Sequence, residues 1–154
     1  MTGTLGPLAV RSLGLVPYAG ALRIQEEMVL ARAAGEAPDT LLLLEHPRVL
    51  TAGRGTREGS LRAGAASLAA LGLEVVPVSR GGDLTWHGPG QLVGYPICDL
   101  GARGHDLHAF LRGLERGLED SLKRFRIEAH RIEGRTGVWV GERKIASIGI
   151  AVRR

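Results

Sequence analysis

The chain is short of cysteine, aromatics, lysine and long apolar runs, and each shortage removes a class of protein. Cys98 is the only cysteine in 154 residues, which excludes an internal disulfide framework and a multi-cysteine zinc site. The longest unbroken run of large apolar residues is Leu41 to Leu44, far below the roughly 20 needed to span a bilayer. Arg11 interrupts the N-terminal apolar stretch and no small-residue cleavage site follows it, so no secretory signal is read there. Two residues each of Trp, Tyr and Phe are few for a base-stacking surface. Lysine occurs only at positions 123 and 144. The net charge of +4 therefore rests on arginines, scattered along the chain, with no basic stretch longer than a pair such as Arg153-Arg154. No nucleic-acid and no membrane partner is expected, whereas a mildly basic surface suits acidic protein partners.

What remains is 44% hydrophobic and 23% charged residues, with Gly 23 and Pro 7 in no repeating period. That composition excludes a disordered tail and a collagen. Length and apolar content together suit one soluble, cytoplasmic domain. Two segments have helical periodicity. From Tyr18 to about Ala34, Ala21, Leu22, Met28 and Val29 recur at three- to four-residue spacing. From Asp106 to about Phe125, Leu107, Phe110, Leu111, Leu114, Leu118, Leu122 and Phe125 form a stripe, with Asp106 placed as an N-cap. A weaker helix covers Ala65–Leu71. Both long stripes are read as core packing.

Strands are predicted at Thr40–Glu45, Arg48–Thr51, Glu74–Ser79, Leu84–Trp86, Gln91–Ile97, Gly137–Val140 and Lys144–Val152, bounded by Pro and Gly. Gly141-Glu142 between the last two fits a tight II′ hairpin turn, among other short loops. Strands outnumber helices and connect by hairpin-length loops. The expected fold is α+β, a largely antiparallel or mixed sheet with helices packed on it.

Chemistry concentrates in Arg80-Gly81-Gly82-Asp83-Leu84-Thr85-Trp86-His87-Gly88-Pro89-Gly90-Gln91. Glycine allows positive φ and close approach of a ligand. The stretch reads either as a ligand loop or as two tight turns joined by a short strand. It has neither a Gly-Lys-Ser/Thr ending nor a G-x-G-x-x-G opening a helix, so it is no phosphate loop. His87 is placed to act as a general base, a donor to a carbonyl, or a cap of the Gly-Pro-Gly corner. His46, His105, His108 and His130 have no paired spacing with it, and no metal site is expected. Lys144 opens an apolar strand. It is either a solvated guard of a sheet edge or a lysine that pairs with a thiolate. Thr51-Ala52-Gly53-Arg54-Gly55-Thr56-Arg57 is a Gly-Arg loop that could hold an anion or simply turn in solvent.

Arg80 to Ile97, read as Arg-Gly-Gly-Asp-Leu-Thr-Trp-His-Gly-Pro-Gly-Gln-Leu-Val-Gly-Tyr-Pro-Ile, resembles the signature of the octanoyltransferases of lipoate biosynthesis. Glu45-His46-Pro47, Thr51-Ala-Gly-Arg54 and Lys144-Ile-Ala-Ser-Ile-Gly149 match further blocks of that family in order, and Tyr18 and Gln25 fit its first helix. The resemblance implies a biotin/lipoate ligase-type fold related to class II synthetase domains. It implies transfer of an octanoyl group from acyl carrier protein, through an enzyme cysteine thioester, to a lysine of a lipoyl domain, with no cofactor. The implied partners are octanoyl-acyl carrier protein, the lipoyl domains of 2-oxoacid dehydrogenases and the glycine cleavage H protein. Arg80, Gly81, Gly82, Asp83, Leu84, Thr85, Trp86, His87, Ser147, Ile148 and Gly149 would line the acyl site. Lys144 would lower the pKa of the nucleophilic cysteine.

The family's Pro-Cys-Gly nucleophile block lies beyond the strand at which this sequence stops, so the chain resembles the first two-thirds of such an enzyme. Cys98, within Tyr-Pro-Ile-Cys-Asp-Leu, is expected to be a buried core cysteine. Two rivals remain: an ATP-dependent lipoate- or biotin-protein ligase, faintly suggested by Gly53-Arg54-Gly55-Thr56-Arg57, and a non-catalytic module that binds carrier proteins.

Overall fold

The leucine run 41–44 becomes the spine of a sheet. The computed structural model describes residues 6–153. The first five residues of the N-terminal stretch and Arg154, half of the C-terminal basic pair, lie outside the described residues. The elements are β1 (Ala9–Leu15), α1 (Tyr18–Ala33), β2 (Thr40–Glu45), β3 (Val49–Ala52), α2 (Ala65–Ala70), β4 (Val75–Pro77), β5 (Leu84–His87), β6 (Val93–Ile97), α3 (Leu107–Arg124), β7 (Val138–Val140) and β8 (Arg143–Ala146), with a 3-10 turn at Gly101–Arg103. They divide into two compact units, residues 6–99 with 151–153, and Leu100–Ile150.

In the larger unit β2 is central, parallel to β1 and antiparallel to β6. Thr40, Leu42 and Leu44 are buried and the alternate residues half-buried. Coverage on both faces is why this strand reads as continuously apolar rather than alternating. A parallel pair needs a crossover; α1 supplies it and packs on β6. Ala21, Leu44 and Val93 form a buried cluster joined by Leu13, Val16 and Tyr95. A second sheet has β3 between parallel β4 and antiparallel β5.

In the smaller unit Asp106 caps α3 as expected, its Oδ1 accepting the Ala109 N–H at 2.9 Å. Phe110, Leu111, Leu114, Leu118 and Leu122 are half-buried. The only fully buried residue of α3 is Glu115. β7 and β8 form an antiparallel hairpin. Gly141 takes φ +55° while Glu142 stays out of the left-handed region, the pattern a II′ turn requires. His130 bridges to Trp139 through two backbone bonds of 2.8 Å.

The expected α+β class and mixed pairing hold, with the strands divided among three small sheets. Locally, one strand was not expected, one is shorter than expected, and one helix stripe is weaker. β1 had no clear sequence signal, because it is a mostly exposed edge strand with Gly14 at φ +67° and an irregular register between Ser12 and Leu15. The strand predicted for Lys144–Val152 ends at Ala146, because its three-residue partner β7 offers no further ladder bonds. The expected stripe of α1 is also weak: Leu22 and Leu30 are exposed and only Ala21 is buried. No helix among the described residues is long and apolar enough to cross a membrane.

Candidate active site

Two glycine-rich loops of the larger unit close on one another. Arg54 N–H donates to Arg80 O at 3.0 Å and Gly55 N–H to Gly82 O at 2.9 Å, with a longer bond from Gly53 N–H to Asp83 O. The approach is so close that a Cβ at Gly53 would overlap the Gly82 carbonyl oxygen, and one at Gly55 would lie 3.0 Å from it. Arg80 nails the junction from inside. Its Nη2 donates to Thr51 Oγ1 at 2.6 Å and Thr51 O at 3.1 Å, and its Nη1 to the carbonyls of Gly81 and Asp83 at 3.0 Å each. The Ser60 hydroxyl donates to Asp83 Oδ2 at 2.9 Å, and that bond holds the carboxyl below its usual range. Residues 53–56 of the Gly-Arg loop therefore spend their amides on backbone carbonyls, Thr56 N–H included, which donates to Gly53 O. Amides so engaged are not free to cradle a phosphate.

Beside this junction four rings gather. His46 and His87 have centroids 5.4 Å apart, Tyr18 lies 5.2 Å from His46 and 6.3 Å from His87, and Tyr95 lies 6.0 Å from His46. His46 is fully buried. Its Nδ1 meets the Val16 carbonyl at 2.7 Å and its Nε2 meets the Tyr95 hydroxyl at 2.9 Å. A carbonyl only accepts, so Nδ1 carries the proton, and in the neutral ring Nε2 accepts from the tyrosine. His87 is fixed by similar logic. Gln91 Nε2 donates to Trp86 O at 3.0 Å, which turns Gln91 Oε1 toward His87 Nδ1 at 2.7 Å. That nitrogen holds the proton, and Nε2 keeps its lone pair, unpartnered among the described residues.

Burial lowers the pKa of both histidines from the ordinary 6.5, opposed at His46 by the Val16 bond and at His87 by the Gln91 bond. Burial also raises both tyrosines. All four rings are thus uncharged at neutral pH, with Arg80 in electrostatic reach of both tyrosines. The Gly88-Pro89-Gly90 corner is tied to the end of β2 by Gly90 N–H donating to Glu45 Oε2 at 2.6 Å.

The block Arg80–His87 does not act as one surface. Alternation along β5 puts Thr85 and His87 on one face and Leu84 and Trp86 on the other. Trp86 is 46% exposed and lies over Gly88, where a Cβ would overlap its ring. Gly81 and Gly82 form the bend, Gly82 at φ +85°. Lys144, Ser147, Ile148 and Gly149 belong to the smaller unit. Lys144 is exposed, its Nζ donating to Thr136 O at 2.9 Å and lying 4.7 Å from the Trp139 ring centroid. Ser147, Ile148 and Gly149 follow β8 outside any strand, and Ser147 and Gly149 are exposed. Reading the residues one by one missed Tyr95 and the partnership of His46 with His87; the signals available were a histidine between Glu45 and Pro47 and a Gln four residues after His87. Cys98 directly follows β6 and is half-buried rather than a full core residue. No group of three His, Cys, Asp or Glu among the described residues could hold a metal ion.

Residues 17–154 match the family described as the lipoyl protein ligase A/B catalytic domain. The chain is 52% identical over 145 residues to an octanoyltransferase of Solibacter usitatus, covering 94% of this chain and 66% of that protein. It is 51% identical over 148 residues to an octanoyltransferase of Geobacter metallireducens, covering 96% and 66%. The chain thus spans just under two-thirds of the length of these curated relatives. Among solved structures, a bipartite lipoate protein ligase of Thermoplasma acidophilum, studied with its E2 lipoyl domain, superposes with a TM-score of 0.70 at 19% identity, over 96% of this chain and 58% of that one. At that identity the likeness concerns the fold.

Proposed function

The chain belongs to the lipoyl protein ligase A/B catalytic-domain family, and from that membership we propose that it carries the acyl-binding part of an octanoyltransferase. In this reading the thiolate of an enzyme cysteine other than Cys98 attacks the thioester carbonyl of octanoyl-acyl carrier protein. The carrier thiolate leaves and takes up a proton. The amine of a lipoyl-domain lysine then attacks the enzyme thioester, loses a proton, and the enzyme thiolate departs as the amide forms. The lipoyl domains of 2-oxoacid dehydrogenases and the glycine cleavage H protein are the acceptors. Lys144 holds the cysteine as thiolate, since a nearby ammonium stabilises one. The Ser147-Ile148-Gly149 amides donate to the oxyanion of each tetrahedral intermediate.

The observation that carries the reading is identity near one half, over almost the whole chain, to octanoyltransferases. The site's chemistry supports it. An alkyl chain gains about 0.8 kcal/mol per buried methylene, but only against an uncharged wall. Burial lowers the pKa of His46 and His87 and raises that of Tyr18 and Tyr95, so this ring cluster adds no charge beside Arg80. The engaged amides of residues 53–56 speak against an adenylate-binding ligase. The test is the full-length protein incubated with octanoyl-carrier protein and unmodified lipoyl domain, with and without ATP. Octanoyl-lipoyl domain should form without ATP; formation only when ATP is added rejects the transferase reading.

A further inference from the structure

Glu115 is a fully buried ionisable side chain that the reaction above does not use. A carboxylate taken out of water is costly unless each oxygen is bonded. Here both are. Oε2 accepts from Arg112 Nη1 at 2.6 Å, and Oε1 accepts the Gly137 N–H at 2.9 Å. That N–H belongs to the same peptide group as the Thr136 carbonyl, and the Thr136 oxygen accepts from Lys144 Nζ at 2.9 Å. Carboxylate and ammonium therefore grip opposite ends of one peptide. The negative charge sits at the N–H end of its dipole and the positive charge at the C=O end. Hydrogen bonds chained in this way polarise one another.

The surrounding structure is shaped around this relay. Gly137 takes φ +127°, and a Cβ there would lie 2.5 Å from Ala146 O and 3.1 Å from Lys144 Cε. Only glycine lets the lysine stem pass so close. The ammonium lies 4.7 Å from the centroid of Trp139, a buried ring whose backbone is held by the His130 bridge. Lys144 is exposed on a short strand. A lysine stem in that setting is otherwise free to sample many rotamers.

We propose that Glu115 is the positioning residue of Lys144, holding its ammonium in one place through the Thr136–Gly137 peptide. The contact stands on the geometry alone; its consequence for acyl transfer rests on the role proposed for Lys144 above. Lys123, the other lysine of this chain, serves as an internal reference. In the full-length protein, Lys144 is followed by limited acetylation or reductive methylation and peptide mass spectrometry, as its rate relative to Lys123. Glu115→Gln keeps the size of the side chain and an acceptor for Gly137 but removes the charge. With the charge gone the Thr136–Gly137 peptide holds the ammonium less firmly, and Lys144 should react faster relative to Lys123, by up to about fivefold, the factor that a whole lost hydrogen bond would carry. If Glu115→Gln does not fold, Glu115→Asp keeps the charge but shortens the reach by one methylene, and the same increase is expected.

An unchanged Lys144:Lys123 ratio in a folded variant overturns the proposal. In the transferase assay the same variant should lose kcat by a similar factor with KM little changed. A parent protein that transfers no octanoyl group rejects the transferase reading and leaves the labelling ratio to decide the role of Glu115.

Discussion

Gly53→Ala tests whether the junction of the two glycine loops is what holds the candidate site. The added methyl would overlap the Gly82 carbonyl oxygen and crowd Arg80 Nη1. The first of these is backbone and cannot rotate away, so the loops must part. Parting them stretches the Arg54–Arg80 and Gly55–Gly82 bonds, now 3.0 and 2.9 Å, and loosens the grip of Arg80 on Thr51. At about 1 kcal/mol net per hydrogen bond the loss is about 2–3 kcal/mol. For a chain of this size that lowers the thermal midpoint by roughly 5–10 °C. Gly81→Ala is the control: a Cβ there meets nothing within 4 Å and the residue has no positive φ, so its effect should stay within about 0.5 kcal/mol. Thermal and urea unfolding of both variants, followed by circular dichroism, gives the comparison. Equal midpoints for Gly53→Ala and Gly81→Ala would show that the loops separate at no cost, and the account of the junction would be wrong.

Tyr95→Phe removes the donor to His46 Nε2 and strands a buried ring nitrogen. It should lose about 1–3 kcal/mol, read by urea denaturation, and more than a hydroxyl deletion at an exposed site. Both site histidines have pKa values below 6.5 in the folded chain, so on acidification the unfolded chain takes up protons first. Stability should therefore be full near pH 7.5, fall as pH drops below 6.5, and level off once the folded-state values are passed. His46→Gln should flatten that slope in urea titrations at pH 5.0 and 7.5, and an unchanged slope contradicts the burial argument. Cys98→Ala in the full-length protein should leave octanoyl transfer and the mass of any acyl-enzyme adduct unchanged. Loss of the adduct by intact-mass spectrometry would make Cys98 the nucleophile.

What could be read from the residues alone was local. The 3.6-residue stripe and Asp106 define α3 to within a residue, since cap and periodicity act inside one helix. Leu41–Leu44 marks β2, and Gly141-Glu142 marks the hairpin, because an apolar run and a turn residue state their own preferences. The Arg80–Gln91 block carried the family likeness without any coordinates. β1 escaped notice because an edge strand of mixed polarity exists only through its pairing with β2. The ring cluster escaped for a similar reason: Tyr18, His46, His87 and Tyr95 come from four separate segments, and only the packing of α1, β2, β5 and β6 brings them together. Whether Glu115 is one more charge on a helix or a buried anchor likewise depends on where Gly137 and Arg112 end up. Burial, shared hydrogen bonds and the shifts they cause belong to pairs of distant residues, so they are decided only once the chain has folded.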